Sequence, residues 1–327
     1  MNLSVDLFGT TFQNPVLLAA GTCGFGRELA EVLDLEALGG FVTKSVTLEP
    51  RHGNLPPRVA EFGAGMLNSV GLANPGVAAV LRDELPWIRA HVRKPRVFVS
   101  VAGRRESEFP RLIEELDGAG GFLGFEVNLS CPNDRTRTAL PFALDRDSAG
   151  RIVEACRART GRPLLAKLAP NDPDIVRTAR VARDAGADGL TLVNTLPGLA
   201  LDPARGGALL GAGEGGVSGP ALRPAGVRAV RHARAAVALP LVGVGGVLTA
   251  EDVVQYARAG ASLVGVGTAS FADPRAALKI LRGLHRFGRR HGVSRFLDLV
   301  PPSGVEDGRA DGEAPADSDG GDSAWQA

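Results

Sequence analysis

Eight short apolar runs of strand type recur along this chain, and helix-period stretches lie between several of them. The runs are Val16–Ala19, Phe41–Thr43, Val97–Val99, Gly124–Val127, Leu164–Ala166, Leu190–Val193, Leu241–Val244 and Leu263–Val266. Most are continuously apolar rather than alternating, which is the pattern of parallel strands covered on both faces. Helical periodicity appears over 105–117, 147–160, 173–186, 220–236, 250–259 and 274–290. Asp172-Pro173 and Asp273-Pro274 read as an N-cap followed by proline at the first helical position, and Gly161, Gly186 and Gly260 as C-caps. Strand and helix alternating eight times predict an α/β fold, a TIM (β/α)8 barrel; a doubly wound open sheet is the competing architecture. Ser4–Phe8 and Gly9–Phe12 read as an N-terminal hairpin closing the far end of the barrel.

Two connections are too long for turns: residues 45–76 after the second strand and 196–219 after the sixth. Loops of that length usually cover binding sites, and in a barrel both fall over the C-terminal mouth. The chain has 327 residues and a net charge of +1, but residues 303–327 hold seven acidic residues and one arginine. That segment is therefore −6 and residues 1–302 are +7. The expected organisation is one barrel over 1–302 and a disordered acidic tail over 303–327, which has too little apolar surface to offset ordering. Positive charge on the body favours anionic ligands or is simply diffuse surface arginine.

Three unpaired cysteines, Cys23, Cys131 and Cys156, argue against a disulfide framework and for a reducing, cytoplasmic compartment. No spacing suggests a metal site. No apolar run approaches the roughly 20 residues of a membrane span, and the first residues do not read as a signal peptide.

The strand ends carry the chemistry. Asn128-Leu129-Ser130-Cys131-Pro132-Asn133 follows the fourth run and places a thiol between two amides. Only four lysines occur against 33 arginines, yet Lys44 and Lys167 both stand at strand ends, where a compact ammonium suits a point contact. Asn68 lies in the first long loop and Asn194-Thr195 ends the sixth strand. Together the amides outline a pocket for a ligand with its own N–H and C=O groups. Gly243-Val244-Gly245-Gly246 and Gly265-Val266-Gly267-Thr268 end the seventh and eighth strands, where barrels often bind phosphate through backbone N–H groups. Phosphate loops, amides and lysines together suit FMN lying across the mouth.

Over roughly residues 3–300 these motifs resemble the class 1 dihydroorotate dehydrogenases. The resemblance rests on Thr43-Lys44-Ser45 with Leu48-Glu49-Pro50-Arg51, the Gly65–Pro75 segment, the Asn128–Asn133 motif, Ala166-Lys167-Leu168, Val193-Asn194-Thr195, Ser218-Gly219-Pro220 and the two glycine loops. Gly65-Met66-Leu67-Asn68 and Gly215–Pro220 are more similar to the NAD-linked B-type than to the fumarate-using A-type.

The resemblance implies that Cys131 is the base that takes a proton from dihydroorotate while a hydride passes to flavin N5. It implies substrate contacts at Lys44, Asn68, Ser69, Val70, Gly71, Leu72, Asn128, Asn133, Asn194 and Thr195. It implies flavin contacts at Gly21, Lys44, Ser45, Ser100, Asn128, Lys167, Val193, Gly219, Gly245, Gly246, Gly267 and Thr268. Ser100 departs from the family's usual asparagine, so a flavin contact there is expected to be lost or bridged by water. The B-type likeness further implies a homodimer joined to an electron-transfer subunit with FAD and a [2Fe–2S] cluster, as a heterotetramer that delivers electrons to NAD. No nucleic acid or membrane partner is expected.

Two other classes stay open at this level: an aldolase-type lyase with Lys167 as the Schiff-base amine, and a silent barrel kept for binding. A protein truncated after residue 302 is expected to reduce its flavin with dihydroorotate at the full-length rate; a large loss in that assay would show that the tail has a role.

Overall fold

The computed structural model describes residues 1–130 and 141–304. Cys131, Asn133 and nearly all of the acidic tail lie outside the described residues. Within them the strands are, in chain order, β1 (Val5–Leu7), β2 (Thr10–Phe12), β3 (Val16–Leu18), β4 (Gly40–Val42), β5 (Val59–Phe62), β6 (Gly65–Asn68) and β7 (Arg96–Val101). They continue as β8 (Gly124–Asn128), β9 (Leu164–Leu168), β10 (Gly189–Leu192), β11 (Leu196–Gly198), β12 (Gly215–Ser218), β13 (Leu241–Val244) and β14 (Leu263–Val266).

Eight of these, each overlapping one of the eight apolar runs, close into a parallel barrel in the order β10-β13-β14-β3-β4-β7-β8-β9. The competing open sheet is thereby excluded. The barrel strands are almost wholly buried, because interior side chains fill the centre and helices cover the outside. The helix Glu108–Asp117 shows how the outer ring is held: Phe109, Leu112, Ile113 and Leu116 form its buried stripe.

The expected hairpin is present, with β1 antiparallel to β2. It plugs the end where the strands begin. Phe8 meets Phe98 edge-on at 5.9 Å, and Phe12 stacks on Phe98 with centroids 6.5 Å apart. A β-carbon on Gly189, the first residue of β10, would come within 3.2 Å of the Phe8 ring.

The two long connections are not irregular loops. They contribute β5 with β6 and β11 with β12, which join as one four-stranded antiparallel sheet in the order β11-β12-β6-β5. Val217 faces Leu67 and Gly216 faces Asn68 across its centre. The sequence showed only two loops, because the pairing that makes them strands spans about 150 residues.

Helix starts and stops needed correction. Asp172 is not the cap: its Oδ1 accepts the Asp174 N–H at 2.9 Å, and Asp174 in turn accepts the Arg177 N–H at 3.1 Å as the true N-cap of Ile175–Asp184. Asp273 likewise forms a local turn, accepting from the Arg275 N–H at 3.0 Å, and the helix begins at Ala276. Gly161 caps nothing. The helix Arg146–Arg157 ends at Ala158, and the Arg157 guanidinium donates to the Thr160 and Arg162 carbonyls beyond it. Gly186 and Gly260 do follow helix ends with positive φ. Among the described residues no helix is long and apolar enough to cross a membrane.

Phe98 is fully buried where hairpin and barrel meet. Phe98→Ala is expected to cost about 3–5 kcal/mol, seen as a lower midpoint in denaturant unfolding.

Candidate active site

A cavity of about 750 Å³ opens at the C-terminal mouth, beneath the four-stranded sheet. That volume lies within the roughly 300–1,000 Å³ of small-molecule sites. Its walls come from nearly every barrel strand. Gly21 follows β3, Lys44 and Ser45 follow β4, Asn128 ends β8, Lys167 lies in β9, and Val193, Asn194 and Thr195 follow β10. Gly245, Gly246, Gly267 and Thr268 follow β13 and β14, while Asn68, Ser69, Val70, Gly71, Leu72 and Gly219 descend from the covering sheet. Every sequence-predicted site residue within the described chain lines this cavity, with one exception.

The exception is Ser100. It is fully buried behind the wall, with its Oγ 2.9 Å from Ser45 Oγ, and its own N–H donates to Thr43 Oγ1 at 3.2 Å. Ser45 Oγ also accepts from Asn128 Nδ2 at 3.3 Å. Asn128 Oδ1 accepts from Asn194 Nδ2 at 3.2 Å and from the Ser130 N–H at 3.3 Å. Asn194 Oδ1 accepts the Thr195 N–H at 2.8 Å. Four strand ends are thus tied by one polar network that fixes the amides before any ligand arrives.

Deeper in the barrel, Lys167 Nζ lies 3.3 Å from Glu126 Oε1, with the two side chains only 7% and 1% exposed. Breaking such a pair by removing one partner typically costs about 3–5 kcal/mol. Sequence reading passed over Glu126, although a carboxylate inside an otherwise apolar strand was the visible signal. Asn54, Arg104 and Asn171 also line the cavity and were missed. Asn171 stands three residues past β9, so the strand-end rule extended slightly would have found it.

The two glycine loops are shaped by packing. Tyr256, the only tyrosine, is buried against them, and its hydroxyl donates to the Gly245 carbonyl at 2.7 Å, with the Val244 carbonyl at 3.1 Å. A β-carbon on Gly243 would fall 2.3 Å from the Tyr256 ring, so the ring can seat only over glycine. Gly246 has φ +69°, and a β-carbon there would press to 2.7 Å on the Gly219 carbonyl. Backbone therefore faces the cavity at this corner, as an anionic phosphate requires. Ser130 lines the cavity, and its Oγ is buried with no hydrogen-bond partner among the described residues. These features fit a phosphorylated, amide-bearing cofactor.

Cys23 follows β3 but is buried, with its Sγ 3.3 Å from the Val42 carbonyl, and burial with the nearby Glu28 pushes its thiol up to about 12. A thiol so placed supplies almost no thiolate near neutral pH. Cys156 packs in the core, and burial pushes its thiol up to about 12 as well. Among the described residues no group of His, Cys, Asp and Glu could hold a metal ion.

The dihydroorotate dehydrogenase family profile matches residues 2–287. The catalytic subunit of dihydroorotate dehydrogenase B (NAD(+)) from Pelobacter propionicus is 44% identical over 91% of this chain and 97% of its own. A Solibacter usitatus protein provisionally named dihydroorotate dehydrogenase A (fumarate) is 43% identical, over 91% of this chain and 97% of its own. In fold, the chain is similar to the dihydroorotate dehydrogenase of Eimeria tenella solved with ferulenol, at TM-score 0.76 and 22% identity, covering 91% of this chain and 88% of that one.

With Cys131 replaced by serine, the native protein at pH 8 is expected to show no thiol that reacts quickly with an aromatic disulfide reagent. Cys23 and Cys156 should both react once the protein is unfolded, because a thiol with its ionisation pushed far above pH 8 supplies almost no thiolate.

Proposed function

This chain belongs to the dihydroorotate dehydrogenase family, and on that premise we propose that it oxidises dihydroorotate to orotate with FMN as its prosthetic group. The observation that carries the reading is the convergence on one cavity. All the described substrate- and flavin-contact residues that the family resemblance implies, apart from Ser100, line it. The Ser130 hydroxyl, buried without a partner among the described residues, and the glycine corner suit that cofactor.

When bound, FMN supplies the acceptor for the two electrons removed. The chain's own residues do the rest. Gly245, Gly246, Gly267 and Thr268 would hold the phosphate through backbone N–H groups and a hydroxyl, with Gly219 toward the ribityl chain. Gly21, Ser45 and Val193 would contact the flavin, and Lys167 would offer its ammonium to the ring. Asn68, Asn128, Asn133, Asn194 and Thr195 pair with the N–H and C=O groups of the substrate ring, and Ser69–Leu72 close over it. Lys44 offers positive charge to the substrate's carboxylate. Cys131 takes the proton from the ring carbon. Ser100 acts through Ser45, whose hydroxyl it bonds, rather than by touching the flavin.

The relatives named as B-type catalytic subunits favour transfer of electrons to NAD through a partner subunit carrying FAD and a [2Fe–2S] cluster, with two copies of each chain in the assembly. The fumarate-named relative keeps the A-type acceptor as the second reading. Assaying dihydroorotate oxidation with fumarate, and with NAD in the presence and absence of the partner subunit, separates the two. NAD reduction only with the partner supports the first reading, and fumarate turnover by this chain alone supports the second. The aldolase alternative at Lys167 predicts a colourless protein trapped by borohydride with a ketone; a yellow protein that releases FMN on denaturation is expected instead.

Cys131→Ala is expected to retain flavin but to slow its reduction by dihydroorotate roughly 100-fold or more, the usual scale for a general base. Cys131→Ser should keep more activity than alanine, with its optimum at higher pH because a hydroxyl is the weaker acid. Stopped-flow bleaching of the flavin reads both; an alanine variant at the normal rate would remove Cys131 from the mechanism.

A further inference from the structure

Lys167 stands on the cavity wall, but the carboxylate that holds it does not. Glu126 is absent from the lining; it sits on β8 two residues before Asn128, and Asn128 is the register partner of Lys167. The carboxylate is therefore set deeper in the barrel than the ammonium, behind it as seen from the mouth. The interior of a (β/α)8 barrel is ordinarily filled by branched apolar side chains. A buried carboxylate in that layer carries a desolvation penalty that packing alone does not repay. The pairing with Lys167 is the one hydrogen bond its side chain shows among the described residues.

We propose that Glu126 is a positioning residue: its carboxylate pins the Lys167 ammonium at one point of the cavity wall, so that fixed positive charge meets the edge of the bound flavin ring. This rests on the reading that FMN occupies the cavity with Lys167 at its ring. A lysine has a flexible four-carbon stem and a mobile point charge. Left without that partner, the ammonium is free to swing toward the open mouth, and its charge then leaves the wall. The pair is neutral at a distance, but close to the wall the nearer ammonium dominates, because Coulomb interactions fall with separation. The result is a short-range, pre-aimed positive field, which stabilises developing negative charge without reorganising during the reaction.

The test uses sulfite, which adds reversibly to flavin N5 and leaves an anionic adduct whose stability reports positive charge beside the ring. FMN-loaded wild type, K167Q, E126Q and E126D are titrated with sulfite by flavin bleaching. FMN affinity of each apoprotein and thermal melting are measured in parallel. K167Q is expected to weaken sulfite binding by at least about tenfold. E126Q, although it keeps the lysine, should lose most of that amount, and E126D should fall between E126Q and wild type. Wild-type or tighter sulfite binding by E126Q overturns the proposal, tighter binding being the result if Glu126 merely dilutes the lysine's charge. Should E126Q fail to fold, E126D decides: weakened binding supports the proposal and unchanged binding overturns it. Unchanged sulfite affinity in K167Q is a separate failure, of the placement of Lys167 at the flavin, and removes the proposal's basis with it.

Discussion

Closure of eight parallel strands is the constraint on which the site depends. Parallel strands can be joined only by crossings on the outside, so every strand must end at the same face. Lys44, Asn128, Lys167, Asn194 and the glycines after β13 and β14 are spread over more than 220 residues of sequence, yet they meet because the ladder gives them no alternative. A slip of one residue in any strand would turn its inward side chains outward. The aromatic cluster of Phe8, Phe12 and Phe98 closes the opposite end.

Within that frame the polar groups of the mouth are arranged in two layers. The upper layer is the amide and hydroxyl chain from Ser100 through Ser45 and Asn128 to Asn194. The lower is the Glu126–Lys167 pair. Both layers are oriented chiefly by bonds to protein groups. Side chains held in this way meet a ligand with little loss of rotamer freedom, which is the physical content of preorganisation. Ser100, where a flavin contact was expected to be lost or bridged by water, lies behind the cavity wall with its hydroxyl against that of Ser45.

Much of this was legible in the sequence, for a definite reason. Buried parallel strands must be apolar on both faces, so the runs beginning at Val16, Phe41 and Leu263 declare themselves without any partner in view. Lys44 and Lys167 were legible because the chain otherwise spends its positive charge on arginine. What stayed hidden was non-local or finely local. The β6–β12 pairing joins segments that carry no strong strand signal of their own, since Gly215-Gly216 is a poor strand former. The caps at Asp174 and Arg275 were displaced because an aspartate before proline also serves as a turn-former, and only the hydrogen-bond geometry distinguishes the two uses. Burial of Cys23 was invisible because sequence position gives the strand end but not which way the side chain points.

The sheet over the mouth has a consequence for how such an enzyme can change. Its two halves are encoded far apart, yet Asn68 and Gly216 are bonded neighbours within one ladder. Neither half can lengthen, shorten or drift in composition without unpairing the other. Variation in this roof is therefore expected to be inherited in matched pairs, with the segment around residue 66 and the segment around residue 216 evolving as a single unit.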